Sequence, residues 1–456
     1  MRPSNDHLWG HPKGLYLLFS TELWERFSYY AMRAILVLYL TDQTASGGLG
    51  FSQASALQLY GLYTGLVYIT PIFGGALADR YLGRRRAILI GGVIMALGQF
   101  TLALPHAWGH GQTLLYLGLG LLILGNGLFK PNISTMVGQL YDANDHRRDG
   151  AFTIFYMGIN IGAMLSAIVA GSMAAAYGWK AGFLCAGIGM VISLIIQVAC
   201  AQRYLGNLGR QPSLQKSELQ REAQKAPLTR QEVDRLKVLL VMGLFTIVFW
   251  TGFEQAGGLM NIYAQDYTDR VVFGFEVPAA WFQSLNPLFI ILLSPLLAGL
   301  WTRLGRREPT SPVKFALGLF FLAVGFLCMI GAVIEQRAVG SASMTWLVGA
   351  YFFHTTGELC LSPVGLSLAT KLSPLRIGSL MMGVWFAFIA LGNYISGAIG
   401  ALVGEAGPLA IFGGIAAVGV VSAIVLWAIS GPLVRWMHGA EDKSAAFTQT
   451  IESPAY

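Results

Sequence analysis

Seven ionisable side chains stand where the surrounding sequence is apolar: Glu22, Glu25, Arg26, Arg33, Lys130, Glu254 and Glu358, with His354 four residues before the last. On insertion scales a charge at the centre of a membrane helix costs roughly 2.5 to 3.5 kcal/mol, so such residues are tolerated when they face a polar cavity and pair. Four acids here oppose three bases. With all of them ionised, one negative charge would stay uncompensated in a low-dielectric setting, which favours a protonated carboxyl and makes the set a candidate proton-coupling site. The plainer alternative is a set of structural salt bridges, but seven ionisable residues are a costly way to pack helices. His354 likewise reads either as a proton group or as a hydrogen-bonded packing residue.

The densest part is Glu22-Leu-Trp-Glu25-Arg26-Phe-Ser-Tyr29-Tyr30-Ala-Met-Arg33. At about 100° per residue, Glu22, Arg26, Tyr29 and Arg33 line one helical face, flanked by Glu25 and Tyr30. That face is a polar seam within an apolar helix.

The elements that must carry this seam follow from composition. The chain has 456 residues, 55% of them hydrophobic and only 12% charged, as expected of a polytopic membrane protein. Apolar runs of about 20 residues predict twelve spans, near 14–41, 53–78, 87–105, 112–139, 150–176, 181–202, 238–265, 279–302, 313–334, 342–369, 377–403 and 407–434. No cleavable signal is expected before the first of them. With that order, 24 Lys and Arg fall on one face, Lys180, Arg270 and Arg337 on the other, and Arg26, Arg33 and Lys130 inside. The net charge of +7 is therefore a positive-inside signal, placing both termini in the cytoplasm, and does not point to nucleic acid. Cys185, Cys200, Cys328 and Cys360 lie in apolar runs without metal-ligand spacing and read as packing residues, with no metal or other cofactor implied.

Residues 206–237 are polar and too hydrophilic to span, and Thr229-Arg-Gln-Glu232 predicts a capping box that opens the seventh helix. The predicted units are an N-terminal six-helix bundle over 1–205, the linker 206–237, a C-terminal bundle over 238–436 and a tail over 437–456. The halves echo each other. Thr70-Pro71, Gly75 and Arg80-Tyr-Leu-Gly83-Arg84-Arg85 match Ser294-Pro295, Gly299 and Arg303-Leu-Gly305-Arg306-Arg307, while Gly125 and Pro131 match Gly357 and Pro363. A parallel duplication of this kind suits alternating access around a midplane site.

Other polar positions extend the candidate site. Asp79 and Arg80, in a glycine-bearing loop after the second span, suit a contact that forms when that face closes. Asn160 and Asn286 are amides in apolar spans, able to bond a neighbouring helix or a ligand. Tyr29, Tyr30, Tyr68, Trp250 and Trp385 are the aromatics expected near the seam or its counterparts.

The chain resembles the proton-dependent oligopeptide transporters of the major facilitator superfamily. The resemblance rests on Glu22-x-x-Glu25-Arg26-Phe27-x-Tyr29-Tyr30, the loop at 74–86, Phe129-Lys130-Pro131-Asn132, Phe155-Tyr156 to Gly162, Phe253-Glu254-Gln255 and Gly357-Glu358-Leu-Cys-Leu-Ser362-Pro363. It implies an all-α major facilitator fold of twelve helices in two pseudo-symmetric bundles, without the two extra helices many bacterial members carry between the halves. It implies proton coupling by Glu22, Glu25, Arg26, Lys130 and Glu254. It also implies gating pairs Arg33 with Glu254 and Lys130 with Glu358, beside Asp79 and Arg80. The peptide carboxylate would meet Arg33 and Lys130, its amino end Asn160, Asn286 and Glu358, and its side chains Tyr29, Tyr30, Tyr68, Ser362 and Trp385.

The expected function is thus proton-coupled import of di- and tripeptides through a bacterial-type cytoplasmic membrane, with peptides, protons and the lipid bilayer as partners. The alternative within transport is a proton-coupled carrier of nitrate or another small anion. An enzyme is not expected, because no His/Cys/Asp cluster supplies a nucleophile or metal constellation.

Overall fold

The computed structural model describes residues 7–105, 111–142, 145, 147–212, 227–374 and 377–441. Residues 213–226 of the expected linker and 442–456 of the expected tail lie outside the described residues.

Among the described residues twelve helices of 20 residues or more follow in order: α1 Lys13–Thr41, α2 Gln53–Leu77, α3 Arg84–Ala103, α4 Gly111–Gln139, α5 Arg147–Tyr177, α6 Trp179–Leu205, α7 Arg230–Phe253, α8 Leu285–Leu304, α9 Ser311–Val339, α10 Met344–Leu372, α11 Gly378–Ala401 and α12 Val403–Ala428. Ten of these, with their short extensions, are long and apolar enough to cross a membrane by length and composition alone. The two that fall short are α1 and α10, which carry Glu22, Glu25, Arg26, Arg33 and Glu358. Outward-facing apolar side chains such as Leu292 and Leu296 on α8 and Val421 and Ile424 on α12 are exposed, as suits a surface solvated by lipid.

α1–α6 pack among themselves, α1 against α5 and α6 and α3 against α4; in the second half α9 packs against α10 and α12, and α7 against α11. The duplication is visible in the backbone. A Cβ at Gly125 of α4 would lie 2.6 Å from the Gly91 carbonyl of α3, and one at Gly357 of α10 would lie 2.6 Å from the Gly318 carbonyl of α9. Each glycine pair lets two helices touch backbone to backbone, so the fourth and tenth helices hold equivalent places.

The capping box forms as the sequence predicts: Thr229 Oγ1 accepts from the Glu232 amide at 3.2 Å, and a Glu232 carboxylate oxygen accepts from the Thr229 amide at 2.8 Å. The expected seventh span, 238–265, lies within the apolar stretch Arg230–Tyr267, but its helix is interrupted. α7 stops at Phe253, a single 3-10 turn covers Glu254–Ala256, and a short helix resumes at Leu259–Tyr267 after Gly257 and Gly258. The glycine pair, which has no Cβ to hold helical geometry, marks the break.

The bundles meet mainly on the face away from the termini. There α2 packs on α11, α5 on the turn Ala279–Ser284 and on α8, and α1 on the short helix Leu259–Tyr267. Asn261 Nδ2 and Gln283 Nε2 both donate to the Ala34 carbonyl, at 2.9 and 3.2 Å, and Trp281 Nε1 donates to the Ile168 carbonyl at 3.0 Å.

Candidate functional site

A cavity of about 140 Å³ lies between the bundles. Its first wall comes from α1, α2 and α5, through Tyr30, Arg33, Tyr68, Tyr156 and Asn160. The other comes from α7 with the turn after it, α8 and α10, through Trp250, Glu254, Asn286, Tyr351, His354 and Glu358. Trp250, one turn before Glu254, thus faces the cavity and lies 6.5 Å from the Tyr68 ring, centroid to centroid.

Arg33 and Glu254 both line the cavity and pair across it. Arg33 Nη2 lies 2.8 Å from Glu254 Oε1, Arg33 Nε donates to the Tyr60 hydroxyl at 2.7 Å, and that hydroxyl donates to Glu254 Oε1 at 2.7 Å. The break in α7 makes this triangle possible. A Cβ at Gly257 would sit 1.9 Å from the Tyr60 hydroxyl, so only glycine lets α2 approach. Gln255 Nε2 donates to the Ser396 carbonyl at 2.8 Å and ties the broken segment to α11.

The acidic seam gathers one to two turns along α1. Arg26 joins both acids: its Nε is 3.0 Å from Glu22 Oε1, and its Nη2 donates to Glu25 Oε1 at 2.9 Å. All three are buried. A buried cation between two carboxylates leaves the trio one negative charge in excess, and Lys130 lies within electrostatic reach of both acids.

The expected Lys130–Glu358 pair is not formed. Lys130 Nζ sits over the Tyr68 ring, 4.2 Å from its centroid, and Glu358 Oε2 accepts from Asn286 Nδ2 at 2.8 Å. An aromatic face satisfies the ammonium and an amide satisfies the carboxylate, so each charge is met from its own half.

Four of the residues expected at the substrate stand off the cavity wall, Lys130 behind the Tyr68 ring and, besides it, Tyr29, Trp385 and Ser362. Tyr29 is buried behind Tyr30, ring edge to ring at 5.1 Å, with the Arg26 guanidinium over it. Trp385 packs on Phe315 and against Gly365 inside the second bundle. Ser362 has a buried hydroxyl without a partner among the described residues. Helical spacing assigns a face but not how far that face is turned from the other bundle, and α11 turns Trp385 inward. Asn160 does line the cavity, yet its Nδ2 donates to the Tyr156 carbonyl of its own helix at 2.9 Å. On the face with the termini, Asp79 pairs with Arg84 at 2.8 Å, and the Arg80 guanidinium lies over Tyr81.

Tyr60, Gln283 and Tyr351 stand at the site although no charge or motif in the sequence singles them out, and Tyr156 of the Phe155-Tyr156 motif also lines the cavity. For Tyr60 a signal existed: it lies two turns from Tyr68, on the same face of α2. Among the described residues no group of three His, Cys, Asp or Glu side chains could hold a metal ion.

Two charge clusters and a lined cavity between duplicated bundles are the frame of a membrane carrier. A sequence profile described as the POT family matches residues 85–228 and 210–410. The chain belongs to the POT family. It is 34% identical to the peptide transporter YePEPT of Yersinia enterocolitica subsp. palearctica, over 97% of this chain and 99% of that one. It is 35% identical to a di-/tripeptide transporter of Lactococcus lactis subsp. lactis, over 94% of this chain and 97% of that one. The crystal structure of a peptide transporter POT in complex with sulfate superposes with a TM-score of 0.89 at 35% identity, covering 96% of this chain and 98% of the other. This POT-family chain therefore has the major facilitator fold, and its breadth of match leaves neither half unaccounted for.

Proposed function

We propose that this POT-family chain is a proton-coupled symporter that imports di- and tripeptides by alternating access, and that it is not an enzyme. The observation that carries the reading is the charge separation across the cavity, with Arg33 on one wall and the Asn286-held Glu358 on the other. A zwitterionic backbone needs a cation for its carboxylate and an acceptor for its ammonium, spaced apart. A small anion would use Arg33 and leave Glu358 without a counterpart, so nitrate is the poorer fit.

In this reading Glu22, Glu25, Arg26 and Lys130 handle the proton, with Glu254 as the acid that links it to the gate. Protonating Glu254 weakens its hold on Arg33, which then meets the peptide carboxylate. Proton and peptide thus compete with the pair that keeps the outer side shut, and a ligand shifts such an equilibrium by its differential affinity for the two states. Asp79 and Arg80 serve the opposite gate. The excess of basic residues on one face supports a cytoplasmic membrane location with both termini inside.

The test is uptake into proteoliposomes of the purified chain under an inward pH gradient. Dialanine and trialanine should accumulate, and nitrate should not. Nitrate accumulation without peptide accumulation would overturn the reading.

A further inference from the structure

Tyr63, on α2, is buried at 2% exposure, and its hydroxyl has no hydrogen-bond partner among the described residues. It is not on the cavity wall, so contact with substrate does not account for it. Tyr60, one turn earlier on the same helix, has its hydroxyl fully engaged between Arg33 and Glu254. The charged groups that act on Tyr63 electrostatically are Arg33, Glu25 and Arg26, all on α1, and Tyr29 and Tyr63 act on each other in the same way. Both tyrosines thus stand in the field of Arg33, Tyr60 bonded to it and to Glu254 and Tyr63 also in the field of Glu25 and Arg26. A buried phenol without a partner is uncommon and calls for a role.

We propose that Tyr63 is the positioning residue that conducts the proton between the Glu22–Glu25 cluster and Glu254, by way of Tyr60 and intervening water. This rests on the proton-coupled reading above. In the step, Glu25 releases one proton and the Tyr63 oxygen takes one up through water while its own hydroxyl proton passes on toward Tyr60. Tyr60 repeats the exchange and delivers its hydroxyl proton to Glu254. Both phenols end neutral, and one proton has moved from one carboxyl to the other. Its arrival neutralises the carboxylate that holds Arg33, so proton entry at the cluster and release of the gate become one event.

The experiment compares wild type and Tyr63→Phe, full length, in proteoliposomes. It reads pH-gradient-driven dialanine accumulation and gradient-free dialanine counterflow. The substitution removes one oxygen and keeps the ring, and intact counterflow reports a folded carrier. The expected result is at least a tenfold loss of gradient-driven accumulation with counterflow within twofold of wild type. Accumulation within twofold of wild type overturns the proposal, as does an equal fall in both readouts, which marks a structural role. Failure of wild type itself to accumulate dialanine under the gradient would instead sink the proton-coupled reading on which this rests.

Discussion

Arg33 and Glu254 meet at 2.8 Å across the boundary between the two bundles, with the Tyr60 hydroxyl bonded to both. Each belongs to a different half, so the pair is also a measure of the distance between the halves. Breaking a buried pair by removing one partner costs about 3 to 5 kcal/mol, and the lower end applies here because the Arg33 side chain keeps 13% of its exposure. That is a shift of roughly a hundredfold in the ratio of closed to open outer face.

Arg33→Ala should accordingly expose the cavity from outside. A cysteine placed at Ala167, on the cavity wall, in a background lacking the four native cysteines, reports it. Labelling by an impermeant maleimide should rise at least tenfold over the same reporter with Arg33 intact. Unchanged labelling would mean that the pair does not hold the outer face.

Gly61 on α2 and Gly397 on α11 touch so closely that a Cβ at Gly61 would lie 2.7 Å from the Gly397 Cα. Backbone cannot yield as a flexible side chain can, so Gly61→Val should wedge the helices apart. Uptake of dialanine should fall at least tenfold, and the Ala167 reporter should label faster from outside. Normal uptake would show that this contact opens and closes without being needed.

Lys130 stands over the Tyr68 ring at 4.2 Å. A desolvated cation–π contact of this type contributes about 2 kcal/mol, roughly thirtyfold. Tyr68→Leu should reduce uptake by that order, whereas Tyr68→Phe, which keeps the ring face, should stay within threefold. A phenylalanine variant as poor as the leucine one would assign the effect to the hydroxyl. Lys130→Ala should abolish uptake altogether.

Asn286 bonds Glu358 at 2.8 Å and Thr355 Oγ1 at 3.1 Å, while Asn160 spends its amide donor on its own helix. Asn160 therefore has its carbonyl oxygen as the group suited to an ammonium. Asn286→Ala and Asn160→Ala should each raise the KM for free dialanine about tenfold, the loss of a hydrogen bond to a charged group. N-acetylated dialanine should bind the variants as it binds wild type. Equal weakening for both ligands would remove these residues from amino-end recognition.

Much of this was legible in the residues because lipid punishes misplaced charge. Glu22, Arg26 and Arg33 announced the seam, the matched glycines and prolines announced the duplication, and Thr229 with Glu232 announced the start of α7. What escaped reading depends on how the two bundles sit against each other. Whether Lys130 meets Glu358 or the Tyr68 ring depends on how far apart the two bundles hold them, which no local periodicity encodes. Trp385 packs on Phe315 within its own bundle, and the Ser362 hydroxyl is buried off the cavity wall. Tyr60 carries no charge to mark it in the sequence, although its hydroxyl bonds both Arg33 and Glu254.

The coupling itself is tested most directly by Glu22→Gln in proteoliposomes. The substitution keeps the shape of the side chain beside Arg26 and removes its capacity to carry a proton. The account predicts that dialanine accumulation driven by a pH gradient falls at least tenfold while counterflow of the same peptide persists. Gradient-driven accumulation equal to wild type would contradict it.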